Sequence, residues 1–305
     1  MYLGRLGQAQ ETLRRAADRK LEMPDFVVQR YDVAFLESDD AAMARELALA
    51  QSDPEAEDWI SHHEAFVLAY TGHVREARKL SVQAGELARQ GHRERAALFE
   101  TGAALREAFI GNAAAARQRA SVALELARGR EVQYGTALAL ALAGNSSQAQ
   151  ALADDLERAF PEDTSVKFSY LPVLRGVLAL NQHQPSKAIE LLQGASGYEL
   201  GTPRSNLQGF FGALYPVYVR GEAYLAAGRG TEAIAEFQKI IEHRGIVISD
   251  VIGALALLQM GRAYAIAGEK AKAKASYQDF FTLWNNADPD TPILQQAKFE
   301  FAKLQ

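Results

Sequence analysis

The chain has no cysteine in its 305 residues, which excludes disulfides, thiol nucleophiles and every Cys-ligated metal site. Long apolar runs are missing as well. The longest candidate, residues 137–143, ends after seven residues, whereas a membrane span takes roughly 18 to 20. No charged segment followed by an apolar one opens the sequence, so nothing there reads as a signal peptide. A large charge of either sign is absent. Net charge −5 and a pI near 5.8 argue against a general nucleic-acid binder, and 48% hydrophobic content excludes a disordered chain. Alternating runs rich in Thr, Val and Ile, the mark of strands, are nearly absent. The nearest exception, Gly245-Ile246-Val247-Ile248, is too short and isolated to make a sheet.

What is present favours helices. Alanine supplies 55 of the 305 residues, and Arg outnumbers Lys by 23 to 10. Alanine is the best helix former because it loses no side-chain entropy. Length alone allows one large domain or two small ones.

Internal repetition decides between them. A small or turn-prone residue is followed five positions later by Ala at Gly4, Asp39, Gly72, Gly111, Gly144, His183, Gly228 and Gly268, with spacings of 35, 33, 39, 33, 39, 45 and 40 residues. Seven residues before the later anchors stand Asp32, Ala65, Ala104, Ala137, Gly176, Gly221 and Gly261, nearly all small. Four before them stand the mostly larger Phe35, Leu68, Leu140, Ala179, Tyr224 and Tyr264, with Glu107 breaking the column. Nine after the anchors stand Leu13, Ala48, Ser81, Ala120, Ala153, Leu192, Phe237 and Tyr277. These columns describe helical hairpins. A small residue lets two helices approach, a large one fills the space beside it, and the turn residue ends the first helix with a left-handed cap. Such a hairpin cannot bury its apolar face alone and must stack on its neighbours.

The strings GRAYAIAGEKAKAKASYQ, with Gly261, Tyr264, Gly268, Ala273 and Tyr277, and GEAYLAAGRGTEAIAEFQ, with Gly221, Tyr224, Gly228, Ala233 and Phe237, resemble the tetratricopeptide repeat. Pro161 stands where such repeats often place a helix-ending proline. The resemblance implies an all-α, right-handed superhelical solenoid of stacked antiparallel hairpins. Its expected divisions are a truncated leading repeat over 1–24, seven full hairpins over 25–288 and a capping helix over 289–305. More narrowly, ALREAFIGN, LADDLERAFPEDT, EFQKIIEHRGIV, YQDFFTLW and DPDTPILQQAK resemble the C-terminal region of bacterial eukaryotic-like serine/threonine kinases, especially acidobacterial ones. That family joins a kinase domain to a tetratricopeptide array. This sequence has no Gly-rich phosphate loop, HRD loop or DFG triplet, so kinase activity does not carry over.

A start inside a repeat leaves a stacking face uncovered, so the chain is expected to be a fragment of a longer polypeptide, with stacking or dimerisation open to that end. At the other end Phe299, Phe301 and Leu304 are expected to cover the last hairpin while Lys298, Glu300 and Lys303 face water. Residues 194–208 form the longest Gly/Ser/Pro-rich stretch and account for the 45-residue spacing. A surface loop is expected there. Kinases of this type often carry a membrane segment between kinase and sensor, so both the cytoplasmic and the extracytoplasmic side are open.

Catalytic chemistry finds little support. His62-His63-Glu64 lacks the second His, four positions on, that a zinc helix needs. Asp39-Asp40, Asp154-Asp155 and Asp288/Asp290 read as helix caps or solvated faces, and Ser146-Ser147 has no partnered base. Arg117/Arg119 and Arg128/Arg130 read as ion-paired helix surface. Neither a cofactor nor a metal is expected.

Counting back 13, 10 and 6 residues from each anchor gives the side chains expected on the concave face: Phe26, Gln29 and Val33; Trp59, His62 and Phe66; Leu98, Thr101 and Leu105; Glu131, Tyr134 and Leu138; Tyr170, Val173 and Val177; Tyr215, Tyr218 and Glu222; Leu255, Leu258 and Arg262. The resemblance would put Lys, Arg and Asn here in a chaperone-binding member. The apolar and aromatic set found instead argues against a carboxylate clamp. A wall of Tyr134, Tyr170, Tyr215 and Tyr218, with Trp59, His62, Phe66, Glu222 and Arg262, suits a peptide or helix partner. The alternatives are that aromatics at helical spacing serve as inter-helix core, that Glu222 and Arg262 pair across the groove, and that a tight superhelix fills its own concave side. The expected function is a non-catalytic interaction or sensory scaffold. The alternative is a small-molecule sensor with a pocket between the middle repeats and the 194–208 loop.

Overall fold

A computed structural model describes residues 1–21, 23–201, 209–210 and 212–304, and among these all regular structure is helical. The leading helix α1 spans Leu6–Asp18. Seven antiparallel pairs follow: α2 (Pro24–Glu37) with α3 (Asp40–Gln51), α4 (Glu57–Tyr70) with α5 (Val74–Arg89), α6 (Arg93–Phe109) with α7 (Ala113–Leu126), and α8 (Arg130–Leu142) with α9 (Ser146–Ala159). In the fifth pair a π-helical turn, Val166–Tyr170, runs into α10 (Leu171–Asn181), which packs on α11 (Pro185–Gln193). Then come α12 (Tyr215–Ala226) with α13 (Gly230–Glu242), a short α14 (Arg244–Val247), α15 (Val251–Ile266) with α16 (Lys270–Leu283), and α17 (Pro292–Ala302). Gly245-Ile246-Val247, the nearest thing to a strand in the sequence, is a buried helical turn.

Each hairpin turns in the same way. Gly72, Gly111, Gly144, Gly228 and Gly268 have φ between 71° and 90°, and in each case the next amide reaches the carbonyl five residues back, as in His73 N to Leu68 O at 2.8 Å and Arg229 N to Tyr224 O at 2.9 Å. This bond satisfies a carbonyl that the helix end leaves free. His183 makes the same turn at φ 57° without being glycine. In the first pair Ser38, one position before the anchor, takes the left-handed conformation, and Asp39 instead accepts the Ala42 amide as the N-cap of α3.

The small-residue column is the helix crossing. A methyl at Gly221 would lie 2.6 Å from the Phe237 ring, one at Gly261 2.7 Å from Tyr277, and one at Gly176 3.0 Å from Leu192. Where the facing residue is small, as for Ala104 and Ala137 opposite Ala120 and Ala153, alanine occupies the column, and all four are buried. Close packing at the crossing requires the two columns to compensate each other in volume.

The stack also closes on itself. α15 packs against α4 and α6 as well as against α16. The Trp284 indole N–H donates to Tyr70 O at 2.9 Å, the Asp288 amide to Gly72 O at 3.0 Å and the Ile293 amide to Ile110 O at 3.3 Å. The backbone at Met1 lies against Gly245. The C-terminal hairpin is therefore docked on the turns that end α4 and α6.

Two expectations for the capping helix are corrected. Phe301 packs on Tyr277 and Phe281 as expected, but Phe299 is 63% exposed beneath Lys303. Glu300, expected to face water, is half-buried and binds Arg262. An 11-residue helix held by α16 on one side and the turn after α6 at its start leaves its opposite stripe uncovered.

Candidate functional site

The concave side of a solenoid is built by its first helices, and here those helices turn tightly enough to meet across it. Phe109 of α6 lies 5.3 Å from Tyr215 and 5.5 Å from Tyr218 of α12, ring centre to ring centre. The segment that leads into α12 completes the filling. The Gly209 carbonyl occupies the place a side chain on Gly102 would take, and Phe210 lies against Gly135. Both glycines sit on inward faces, where backbone or ring approaches the helix directly. Among the residues of the 194–208 loop, 202–208 lie outside the described residues, while 194–201 form turns on the surface.

The expected open wall is thus corrected to a core. Tyr134 and Tyr170 stack at 3.8 Å with planes 5° apart, and both are buried. The Tyr215 hydroxyl donates to Asp250 at 2.8 Å, and burial pushes the Asp250 carboxyl up to about 6. Tyr218 accepts from Gln259 at 3.0 Å, and the same amide reaches Glu222 at 3.1 Å. Burial raises the Glu222 carboxyl to about 7. Glu222 and Arg262 do not pair directly. Arg262 forms a two-pronged bond to Glu300 of α17 at 2.8 and 3.0 Å and donates to Gln259, which links the two groups. Tyr277 also donates to Glu300, at 2.9 Å.

The second unit's trio is buried too. Trp59 lies under the Arg95 guanidinium, 4.8 Å from ring to carbon, and Phe66 under that of Arg106 at 4.2 Å. His62 stacks on Phe99 at 4.1 Å and donates its Nε2 proton to Gly209 O at 2.6 Å. Its pKa lies well below the usual value, through burial first and then the charge of Arg106, so the ring is neutral. His63 bonds the buried Asp32 at 3.0 Å. Among the described residues no group of three or more His, Asp or Glu is placed to hold a metal ion, and no helix is long and apolar enough to cross a membrane.

The first unit differs. Phe26 and Gln29 are half-buried and, with Val33, line a cleft of about 520 Å³ between α1, α2 and the residues from Met1 to Arg5. A second cleft of about 400 Å³ runs along the other side of α1. Leu13, Val33 and Ala34 form its apolar floor, and Arg14, Arg30, Arg45, Glu37 and Glu46 stand around it. Arg30 is bonded to Glu46 at 2.7 Å, and Gln10 to Glu37 at 2.5 Å. Between the clefts α1 has a single buried residue, Leu13. Exposed Leu3, Leu21, Met23 and Leu49 surround this end. No motif marks these residues in the sequence. The available signal is charge: residues 1–20 carry five Arg or Lys against two Asp or Glu, in a chain of net charge −5.

A third cleft, of about 140 Å³, lies between residues 164–170, 198–201 and 212–216. It adjoins the π-helical turn and Leu214, which has φ 62°.

No protein-family model matches this chain, and no curated protein matches its sequence. Among solved structures, the crystal structure of the TPR domain of P58(IPK) is similar over 99% of this chain and 95% of that one, at 13% identity and a TM-score of 0.30. The all-helical stack of hairpins stands on the contacts described above.

Proposed function

We propose that the protein is a non-catalytic interaction scaffold that takes a helical segment of a partner protein at its amino-terminal unit. The observation that carries this reading is the contrast along the concave face. From the second unit onward the inward side chains are buried, apart from the partly buried Glu131, Glu222 and Arg262, whereas Phe26, Gln29 and Val33 of the first unit border an open cleft. Clefts of about 520 and 400 Å³ lie in the range that holds several side chains of a ligand. Their apolar linings suit the apolar stripe of an amphipathic helix. Trp59, packed with Val28 and Tyr31 of α2, then acts as rigid backing of the site. The resemblance to the C-terminal region of bacterial serine/threonine kinases supports a regulatory role beside such a kinase.

The test separates cleft from core. Phe26→Asp should abolish capture of the partner with little change in melting temperature, whereas Tyr134→Ala with Tyr218→Ala should lower the melting temperature strongly. Partner capture by Phe26→Asp at the wild-type level would refute the assignment.

A second reading, small-molecule sensing, is favoured by the 140 Å³ cleft, because a π-helical turn and a left-handed leucine border the same space. Both features are costly locally and gather at binding sites. A small-molecule thermal-shift screen whose hits vanish in Ser169→Trp would support it.

A further inference from the structure

Six hairpins, from α4 with α5 to α15 with α16, bury the same three positions of their second helix, five, nine and twelve residues after the turn residue. In α11 and its end these are Ala188, Leu192 and Ala195, and in α13 they are Ala233, Phe237 and Ile240. The middle position lies against the small residue of the first helix, Leu192 against Gly176 and Phe237 against Gly221. First helices also stack on one another. From α2 to α12, each packs on its own second helix and on the first helix of the next pair.

α1 repeats this pattern without a first helix. Gly4 takes the turn conformation at φ 70°, and Ala9, Leu13 and Ala16 follow it by five, nine and twelve residues. The set matches Ala188, Leu192 and Ala195 of the fifth pair residue for residue. α1 packs on α2 as α5 packs on α6, so it stands in the place of a second helix. Its stripe is nevertheless open: Ala9 and Ala16 are half-buried, and with Leu13 they line the cleft of about 520 Å³. The opposite wall is Phe26, Gln29 and Val33 of α2. A helix laid in this cleft would touch a second-helix stripe and the following first helix, as α4 touches α5 and α6. The cleft therefore continues the interface that joins first helices along the stack.

We propose that the 520 Å³ cleft takes a partner helix that acts as the first helix of this unit, antiparallel to α1 and with glycine opposite Leu13. The inference rests on the docking of a partner helix at the amino-terminal unit, and it specifies which cleft the helix enters, in which direction and with what sequence. Residue size sets the crossing. A methyl on Gly176 would already lie 3.0 Å from Leu192, the counterpart of Leu13, so a large side chain at that place would hold the partner away. Charge sets the direction. Arg5 is the one charged side chain among those lining the cleft, and it stands at the start of α1. An antiparallel helix ends there, and a cation beside the carbonyl end of a helix is favourable. The neutral Gln8, Thr12 and Gln29 border the rest of the cleft and match an uncharged helix face.

A fluorescent peptide of residues 166–182, which carries Gly176 and pairs in the fold with the matching Ala188, Leu192 and Ala195, is the probe, and its anisotropy is titrated with the full chain. Saturable binding is expected, weakened at least tenfold by Gly176→Leu in the peptide. Leucine is the better helix former, so that loss reports the crossing rather than peptide helicity. Ala9→Trp in the chain, which fills the cleft, should weaken binding by a similar factor at an unchanged melting temperature. Should Ala9→Trp fail to fold, Thr12→Trp fills the same cleft from an exposed position. Absence of saturable binding, equal affinity of the two peptides, or wild-type affinity of the folded tryptophan variant would each overturn the proposal. If Phe26→Asp abolishes partner capture while the peptide fails to bind, docking at the amino-terminal unit stands and the first-helix role falls.

Discussion

His183 occupies the turn position that glycine holds in five other hairpins, and it does so in the left-handed region. A side chain there crowds its own carbonyl at a cost of about 1–2 kcal/mol, so His183→Gly should raise stability by about 0.5–1 kcal/mol after the larger entropy of the unfolded glycine chain is counted. A denaturant midpoint that stays put or falls would show that the imidazole compensates for the strain. The reverse holds at Gly221, where a methyl would press on the buried Phe237 ring. Gly221→Ala should cost about 1–3 kcal/mol by overpacking, measured by the same denaturation.

Glu222 makes a pH-dependent contribution. Its folded pKa is raised to about 7, so the folded chain holds a proton that the unfolded chain releases near pH 4.5. Stability from this group is complete below about pH 4.5 and is lost as pH rises through 7. Glu222→Gln keeps the oxygen that accepts from Gln259 and removes the titration. The variant should therefore gain on the wild type between pH 5 and 8, by on the order of 1–2 kcal/mol. Parallel stability profiles across that range would contradict the assignment.

At the scale of elements, α5 begins with a cap supplied from far along the chain. Asp288, which the sequence places as a local cap before α17, accepts the Arg75 amide at 2.8 Å, and Asp290 binds the Arg75 guanidinium at 2.9 Å. Loss of an N-cap acceptor costs about 1 kcal/mol, so Asp288→Ala should destabilise by that amount and speed amide exchange in the first turn of α5. An effect confined to α17 would mean that the cap acts locally. α1 is the opposite case, a helix that covers the first unit yet is anchored by one buried leucine. With so few buried contacts, it is expected to open well below global unfolding.

For the molecule as a whole, closure changes the way stability is shared. An open array behaves as a row of nearest-neighbour units, but here Trp284 of the last hairpin bonds Tyr70 of the second. Trp284→Ala empties a buried site and breaks that bond, for a loss of about 3–5 kcal/mol. Amide protection should fall in α4 along with α16. If it fell in α16 alone, the ends would be energetically independent.

The repeat is legible because its causes are local. Alanine content, the turn glycines and the −7/+9 pairing of Gly221 with Phe237 or Gly261 with Tyr277 all act within one hairpin, so spacing alone carries them. Counting back from the turns picks out Tyr134, Tyr170, Tyr215 and Tyr218, and all four are buried. Whether inward means groove or core depends on the curvature summed over seven hairpins and on a loop end that enters the lumen at Gly209 and Phe210. No local pattern encodes either. The same holds for the cleft beside α1, which depends on how α1 rests on the first pair. The sequence by itself determined a stack of helical hairpins, their turns and their crossings, since those are contacts between residues a few turns apart. Only the tertiary structure decided that the stack closes and fills its concave side, leaving the first unit open, because closure is set by contacts more than two hundred residues apart.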